Sequence, residues 1–288
     1  MRDFRNLKEV DIRLLLLKGS DMKVENLVIK PYKLGEITEY GYSNYMQNIQ
    51  WTSISIDDFI ASTADENKAS ILKKQKDKLK AFDFYYKLGG EHVLMMLLES
   101  LKMIFRTDDV LVLDLEKGVI AIDFMKKGIA SKGDKGNIIV NEEVLDSLSE
   151  DEITIVHRDN FDDLVEVVKL QNYLASPNKD KSPNPVDERT RQLIEQMEIN
   201  RKKVAEKKKA QQASSGEDND IDISDIVSAI SGKSSSINRL NIWDLTLYQL
   251  YDEYSRLEII DNYNFSLKAM MAGAENVELN HWSSKIQS

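Results

Sequence analysis

The spacing of apolar residues changes several times along the chain, and each change marks an element. Between 10 and 17 and between 24 and 30 apolar residues alternate or run together (Val10, Ile12, Leu14; Leu27, Ile29) across a polar gap at Lys18–Lys23. This predicts two short strands, the second ended by Pro31. Leu34, Ile37, Tyr40, Tyr45 and Ile49 recur at near-helical spacing and predict a helix over about 33–49. Ser55, Asp57, Asp58, Phe59 and Ile60 open a short helix, and Ile71, Leu72, Leu79, Phe82 and Tyr86 fall on one side of a longer one, Asn67 to Leu88, before Gly89-Gly90. From His92 to Phe105 nearly every side of the helix is apolar, which predicts a central buried helix.

Val110–Leu115 and Val119–Phe124 are β-rich runs around Glu116-Lys117-Gly118, a hairpin signal in which Gly supplies the positive φ. Ile138–Val140 and Ile153–Val156 read as edge strands around a short helix Asn141–Leu148. Asp159 reads as the cap of a helix Phe161–Leu174 with Leu164, Val167, Val168 and Leu170 inward. The first domain, residues 1–174, is therefore expected to be an α+β core, mainly helical with a small antiparallel sheet.

The pattern then loosens. Pro177, Asn178, Pro183, Asn184 and Pro185 make a linker by composition, and residues 187–213 read as a long charged helix with sparse apolar positions (Leu193, Ile194, Met197, Val204). Ser214–Asp220 is a second linker, so 175–220 as a whole connects two parts. Residues 221–288 are again helical (Ile226, Ile230, Ile242, Leu245, Leu250, Tyr251, Tyr254, Leu257, Ile260, then Leu267 to Met271), a smaller all-helical unit.

Composition narrows the chemistry. The 288 residues include no Cys, which removes disulfides, thiolate metal sites and a Cys nucleophile and fits a reducing compartment. The longest apolar runs, Leu14–Leu17 and Val93–Leu98, are far short of the roughly 20 residues that span a bilayer, so no membrane role is expected. A formal net charge of -10 opposes nonspecific nucleic-acid binding. The basic stretch Arg201–Lys209 lacks interleaved aromatics and contains Glu206, as a solvated helix face does.

Catalytic, metal and cofactor motifs all fail on inspection. His92, His157 and His281 are isolated from one another. Asp218, Asp220 and Asp222 imitate the start of a calcium loop, but Ile223 and Ala229 stand where Gly and a bidentate Glu are needed, and the bland reading is an acidic linker capping a helix through Ser224. Ser231-Gly232-Lys233-Ser234 ends like a phosphate loop, yet Val227 replaces its first Gly, and it reads as a flexible turn. No triad or nucleophile elbow can be assembled. No enzyme is expected.

The aromatic row Trp243, Tyr248, Tyr251, Tyr254, Tyr263, Phe265 and Trp282 is more informative, because aromatics dominate both small helical cores and the anchors of protein interfaces. Most of it should be core, with some left for a partner. Trp243, Leu247, Tyr248, Tyr251 and Tyr254 follow helical spacing and are the candidate client-binding residues.

Ile29-Lys30-Pro31-Tyr32-Lys33-Leu34-Gly35-Glu36-Ile37 with Tyr42 and Tyr45, Asp159-Asn160-Phe161-Asp162-Asp163-Leu164, and Asn184-Pro185-Val186-Asp187 resemble proteins from tail gene clusters of phages of Gram-positive bacteria. Trp243-Asp244-Leu245-Thr246, Gln249-Leu250, Ala272-Gly273-Ala274 and His281-Trp282 carry the same resemblance. The group most resembled is the phage tail assembly chaperones. That resemblance implies a protein of the host cytoplasm that coats the hydrophobic tape measure protein, delivers it to the tail tube protein and is absent from the virion. It also implies a short and a long product made by ribosomal slippage, and Lys207-Lys208-Lys209 stands just before the change of unit. A structural tail or baseplate component retained in the particle is the alternative. A homo-oligomer is compatible with either.

Overall fold

A computed structural model describes residues 1–54, 56, 60, 70, 72–74, 78–114, 116–133, 138–149, 152–175, 221–275, 277 and 279–286. The expected helix at 187–213, the linkers at 176–185 and 214–220, and most of the expected helices between Ser55 and Lys78 lie outside these residues. The chain forms two compact units: Met1–Pro177 together with Arg239–Ser288, and Asn178–Asn238. Residues 239–288 thus belong to the unit of the N-terminal core, whereas the sequence pattern set 221–288 apart.

The larger unit begins with α1 (Glu9–Lys18), where the pattern predicts a strand. Four consecutive leucines fit either period; the ends decide. Glu9 and Asp11 lie in the first turn and Lys18 in the last, matching the helix dipole, and Gly19 closes the helix at φ 66. Ile12 and Leu16 face inward. The strands are instead β1 (Met22–Val24) and β2 (Leu27–Ile29), an antiparallel hairpin turning at Glu25-Asn26. The expected helix 33–49 is two, α2 (Leu34–Tyr40) and α3 (Tyr42–Thr52), broken at Gly41 with φ 91.

A short turn α4 (Ala81–Asp83) runs into a π-turn at Phe84–Leu88, and α5 (Gly90–Phe105) follows. Only the C-terminal half of α5 is central: Leu97, Ser100, Leu101, Met103 and Ile104 are buried, while Met95 is 50% exposed. The predicted hairpin forms as β3 (Val110–Asp114) and β4 (Val119–Ile122), with Gly118 at φ 65 in its turn. A second hairpin pairs β5 (Ala130–Lys132) with β6 (Ile138–Val140); α6 (Glu142–Ser147) follows, its N-cap Asn141 accepting from the Val144 N–H. β7 (Ile155–Val156) adds antiparallel to β4. Leu111, Ala121, Phe124, Ile129 and Ala130 form a satellite core beneath α6.

The next helix, α7 (Phe161–Gln171), has Asn160 rather than Asp159 at its N-cap position, and Asp159 is instead paired with Lys80 at 2.6 Å. Phe161 packs on Phe82 and Tyr85, with ring centroids 4.8 and 5.4 Å apart. Beside them Asp83, 3% exposed, receives Arg158 through Nε and Nη2, Tyr86 OH at 3.0 Å and Lys80 N–H at 2.9 Å. These partners outweigh burial, which favours the neutral acid, and hold the Asp83 carboxyl below its ordinary pKa. The architecture is α+β with small antiparallel sheets.

In the second unit the described helix is α8 (Ile223–Lys233). Its cap is Asp222, which accepts from the Ser224 and Asp225 N–H groups at 2.7 and 3.1 Å; Ser224 itself is inside the helix. Ser231-Gly232-Lys233 is its last turn, not a flexible loop. The last helix, α9 (Leu247–Met271), returns to the larger unit and packs on α1 and α7.

Candidate protein-binding site

The segment leading into α9 is tied to the N-terminal core by backbone and side chain alike. Leu34 N–H donates to the Leu245 carbonyl at 2.8 Å, and Lys33 Nζ reaches Asp244 at 2.9 Å. Gly35 lies under this segment, where an added Cβ would stand 3.4 Å from the Trp243 carbonyl. Thr246 and Gln249 form a reciprocal capping box: Gln249 N–H donates to Thr246 Oγ1 at 3.3 Å and Thr246 N–H to Gln249 Oε1 at 2.8 Å.

The five candidate residues divide on this frame. Leu247 and Tyr248, at 1% and 3% exposure, are core rather than contact surface. Tyr173, at the end of α7 with φ 59, meets Tyr248 edge-on at 5.5 Å and stacks on Tyr251 at 5.2 Å. Burial pushes the Tyr248 phenol up and the Tyr251 phenol up to about 12, with Tyr42 adding to the latter. Tyr254 is half-buried. Trp243 is 43% exposed and donates its indole N–H to the Arg239 carbonyl at 3.0 Å. Residues chosen for their helical spacing therefore include the ones that fasten α9 to the body, because a core stripe and a client stripe share one period.

The free surface lies further along. No described side chain of α9 beyond Leu250 is fully buried, and Phe265, Met270 and Met271 are 74, 47 and 87% exposed. From Asn262 to Ala274 the only charge is Lys268. The end of α9 thus carries almost no charge and exposes Phe265, Met270 and Met271 among polar neighbours such as Asn262, Asn264 and Lys268. A C-terminal return strap borders it. Arg256 Nη1 donates to the Trp282 and Ser284 carbonyls, both at 2.9 Å, His281 packs on Tyr263 at 5.9 Å, and Trp282 stays 49% exposed. Phe265 stands in the aromatic row of the sequence, and Met270 and Met271 in its apolar run Leu267 to Met271, where the pattern alone does not tell core from surface.

Residues 193–287 match the family model of the YomV second domain. This is a phage-type family, and the match points to a phage protein. It covers about a third of the chain, and it contains α8, α9, all five candidate residues and the exposed end of α9. No curated protein and no solved structure matches the chain.

Several other polar groups are paired within the fold. His157 accepts the Asp159 N–H on Nδ1 at 3.2 Å and lies 3.1 Å from Glu25 Oε2 through Nε2, so it locks the β1–β2 turn to α7. Against burial, hydrogen bonds from Asn160 and His157 hold the Glu25 carboxyl below its ordinary pKa. His92 is exposed beside Gln47, Asn48 and Trp51. Among the described residues no group of three or more His, Asp or Glu could hold a metal ion, and no helix is long and apolar enough to cross a membrane. A cleft of about 620 Å³ at the end of α5 is lined by Lys102, Arg106, Lys126 and Lys132 together with Asp108 and Asp109. The first three cations are met by Glu99 at 2.6 Å, Glu36 at 3.0 Å and Asp123 at 2.9 Å respectively, so these three offer little free charge to an anion.

Proposed function

We propose that this chain is a non-catalytic tail assembly chaperone acting in the host cytoplasm, which holds an apolar helical segment of the tape measure protein against the distal half of α9. The tail tube protein would receive that client. The observation that carries the reading is the exposed, nearly uncharged end of α9, inside the segment that matches a phage domain family. Phe265 offers a rigid anchor, and the adjacent Met270 and Met271 adapt their shape to different apolar partners. A tape measure protein has long apolar stretches that need covering before assembly, which is the chemistry such a surface serves.

Co-expression of the full chain with tape measure fragments, followed by affinity capture, tests the reading. Capture should be stoichiometric for the wild type and weakened at least about tenfold by Phe265→Ala with Met271→Ser, with helicity by circular dichroism unchanged. Failure of the wild type to capture any tape measure segment would overturn it. Mass spectrometry of purified virions tests the chaperone role separately: the chain should be missing, and stoichiometric presence would make it a structural component.

A further inference from the structure

On the opposite side of α1 from its core contacts, Val10, Leu14 and Leu17 are 67, 59 and 42% exposed. Their i, i+4, i+7 spacing places them on a single line along the helix. Beside that line runs an apolar groove of about 320 Å³ whose walls include Met1, Leu7, Leu15 and Met22. Arg2 and Asp21 also line the groove; on α1 itself Asp11 and Lys18 stand on the groove side, seven residues apart and therefore also on one line. Neither has an ion-pair partner among the described residues. The other flank is occupied: Glu9 meets Lys285 at 3.4 Å, and Arg13 acts on Tyr248 and Asp252 of α9.

We infer that this face of α1 is the interface of a homodimer, in which α1 packs antiparallel on α1 of a second copy about a two-fold axis beside Leu14. The charge pattern singles out a second copy as the occupant. A two-fold axis perpendicular to the helix pair lays each flank of one helix beside the same flank of the other, in reversed direction. Asp11 of each copy then faces Lys18 of its partner, at both ends of the contact. The same axis sets Val10 against Leu17 and Leu14 against itself. Residue 13.5 is the midpoint of Val10 and Leu17 and residue 14.5 that of Asp11 and Lys18, so one axis satisfies the apolar stripe and the charged line together. α1 is only about 15 Å long, and the buried patch is smaller than a standard interface of roughly 800 Å² per partner, so the dimer is weak and concentration-dependent. This inference is independent of the client site on α9.

Sedimentation velocity of the full chain between about 1 and 200 µM should show reversible monomer–dimer exchange. Leu14→Glu sets two carboxylates against each other on the axis and should raise the dissociation constant at least about tenfold while the circular dichroism spectrum stays that of the wild type. Asp11→Lys and Lys18→Glu should each weaken the dimer, because each sets like charges opposite at both ends. Mixed in equal amounts the two variants should dimerise, since the ammonium introduced by Asp11→Lys then faces the carboxylate introduced by Lys18→Glu, and the second end keeps the native pair. A wild type that remains monomeric throughout overturns the inference and leaves the face to another partner. A folded Leu14→Glu chain that dimerises as well as the wild type, or a mixture no better than either single variant, overturns it equally.

Discussion

The side-chain amide of Gln249 donates to the Leu17 carbonyl at 2.8 Å across 232 residues of sequence, so the last turn of α1 and the first turn of α9 share one capping residue. Gly19 makes the approach possible, since a Cβ there would lie 3.2 Å from Gln249 Nε2 on a backbone already at φ 66. Gln249→Leu removes this bond and the acceptor of the Thr246 N–H at once. Each lost cap costs about 1 kcal/mol, so a loss of roughly 1–2 kcal/mol is expected in urea denaturation followed by circular dichroism. An unchanged midpoint would show that apolar packing alone fastens α9 to α1.

Asp83 and Arg158 make an ion pair whose carboxylate side chain is only 4% exposed. Asp83→Ala leaves Tyr86 OH without its acceptor and the guanidinium with only the Lys78 carbonyl, and because the Arg158 side chain is 37% exposed a loss of about 2–3 kcal/mol is expected. The pH dependence has a definite sign. Because the folded Asp83 pKa is depressed, its stabilisation is fully present above the unfolded value of about 3.9 and is lost as pH falls through the folded value. The gap in thermal midpoint between the wild type and Asp83→Asn should therefore be widest at pH 5–7 and narrow below about pH 4. A constant gap down to pH 3 would mean that the charge of Asp83 contributes nothing.

Elements with local punctuation were legible in the sequence. The hairpin about Gly118, the short helix after Asn141 and the long helix after Thr246 each carry their own turn or cap residues. Where two structures satisfy one pattern, the sequence misleads: Val10–Leu17 is apolar enough for a strand, and only the pairing of Glu9 and Asp11 with Lys18 at its two ends marks α1 as a helix. Asp159 was a plausible cap until Lys80, 79 residues earlier, proved to be its partner. Two of the five candidate residues are core for a related reason. Tyr248 packs on Tyr173 and α9 on α1, both far away in sequence, and helical spacing alone does not separate the anchored half of α9 from its free half.

Gly118 has a role beyond its φ of 65. A Cβ at this position would stand 2.7 Å from Tyr86 Cζ and 3.0 Å from Phe82, so the β3–β4 turn lies directly on the aromatic cluster around α4. Gly118→Ala combines a left-handed backbone with an overlap against rings held in place by Asp83 and Phe161. A destabilisation of at least about 1–2 kcal/mol is expected, read as a lowered thermal midpoint. Lys117→Ala, whose side chain is 81% exposed in the same turn, should stay within about 0.5 kcal/mol of the wild type.

Tyr248 and Phe265, seventeen positions apart on one helix, should separate fastening from binding. Tyr248 is 3% exposed and packs its ring on Tyr173, so Tyr248→Ala opens a cavity between α7 and α9 and should cost about 3–5 kcal/mol. Phe265 is 74% exposed, and Phe265→Ala should change stability by no more than about 0.5 kcal/mol. Client capture should invert the order. Phe265→Ala should weaken binding at least about tenfold at unchanged stability, and Tyr248→Leu, which retains an apolar filler, should bind almost normally once conditions keep it folded. Measuring each variant by urea denaturation and by capture of tape measure fragments gives both readouts from the same preparation. If Phe265→Ala binds as well as the wild type while Tyr248→Leu, demonstrably folded, does not, the client seat lies at the aromatic cluster of Tyr173, Tyr248 and Tyr251 rather than at the free end of α9.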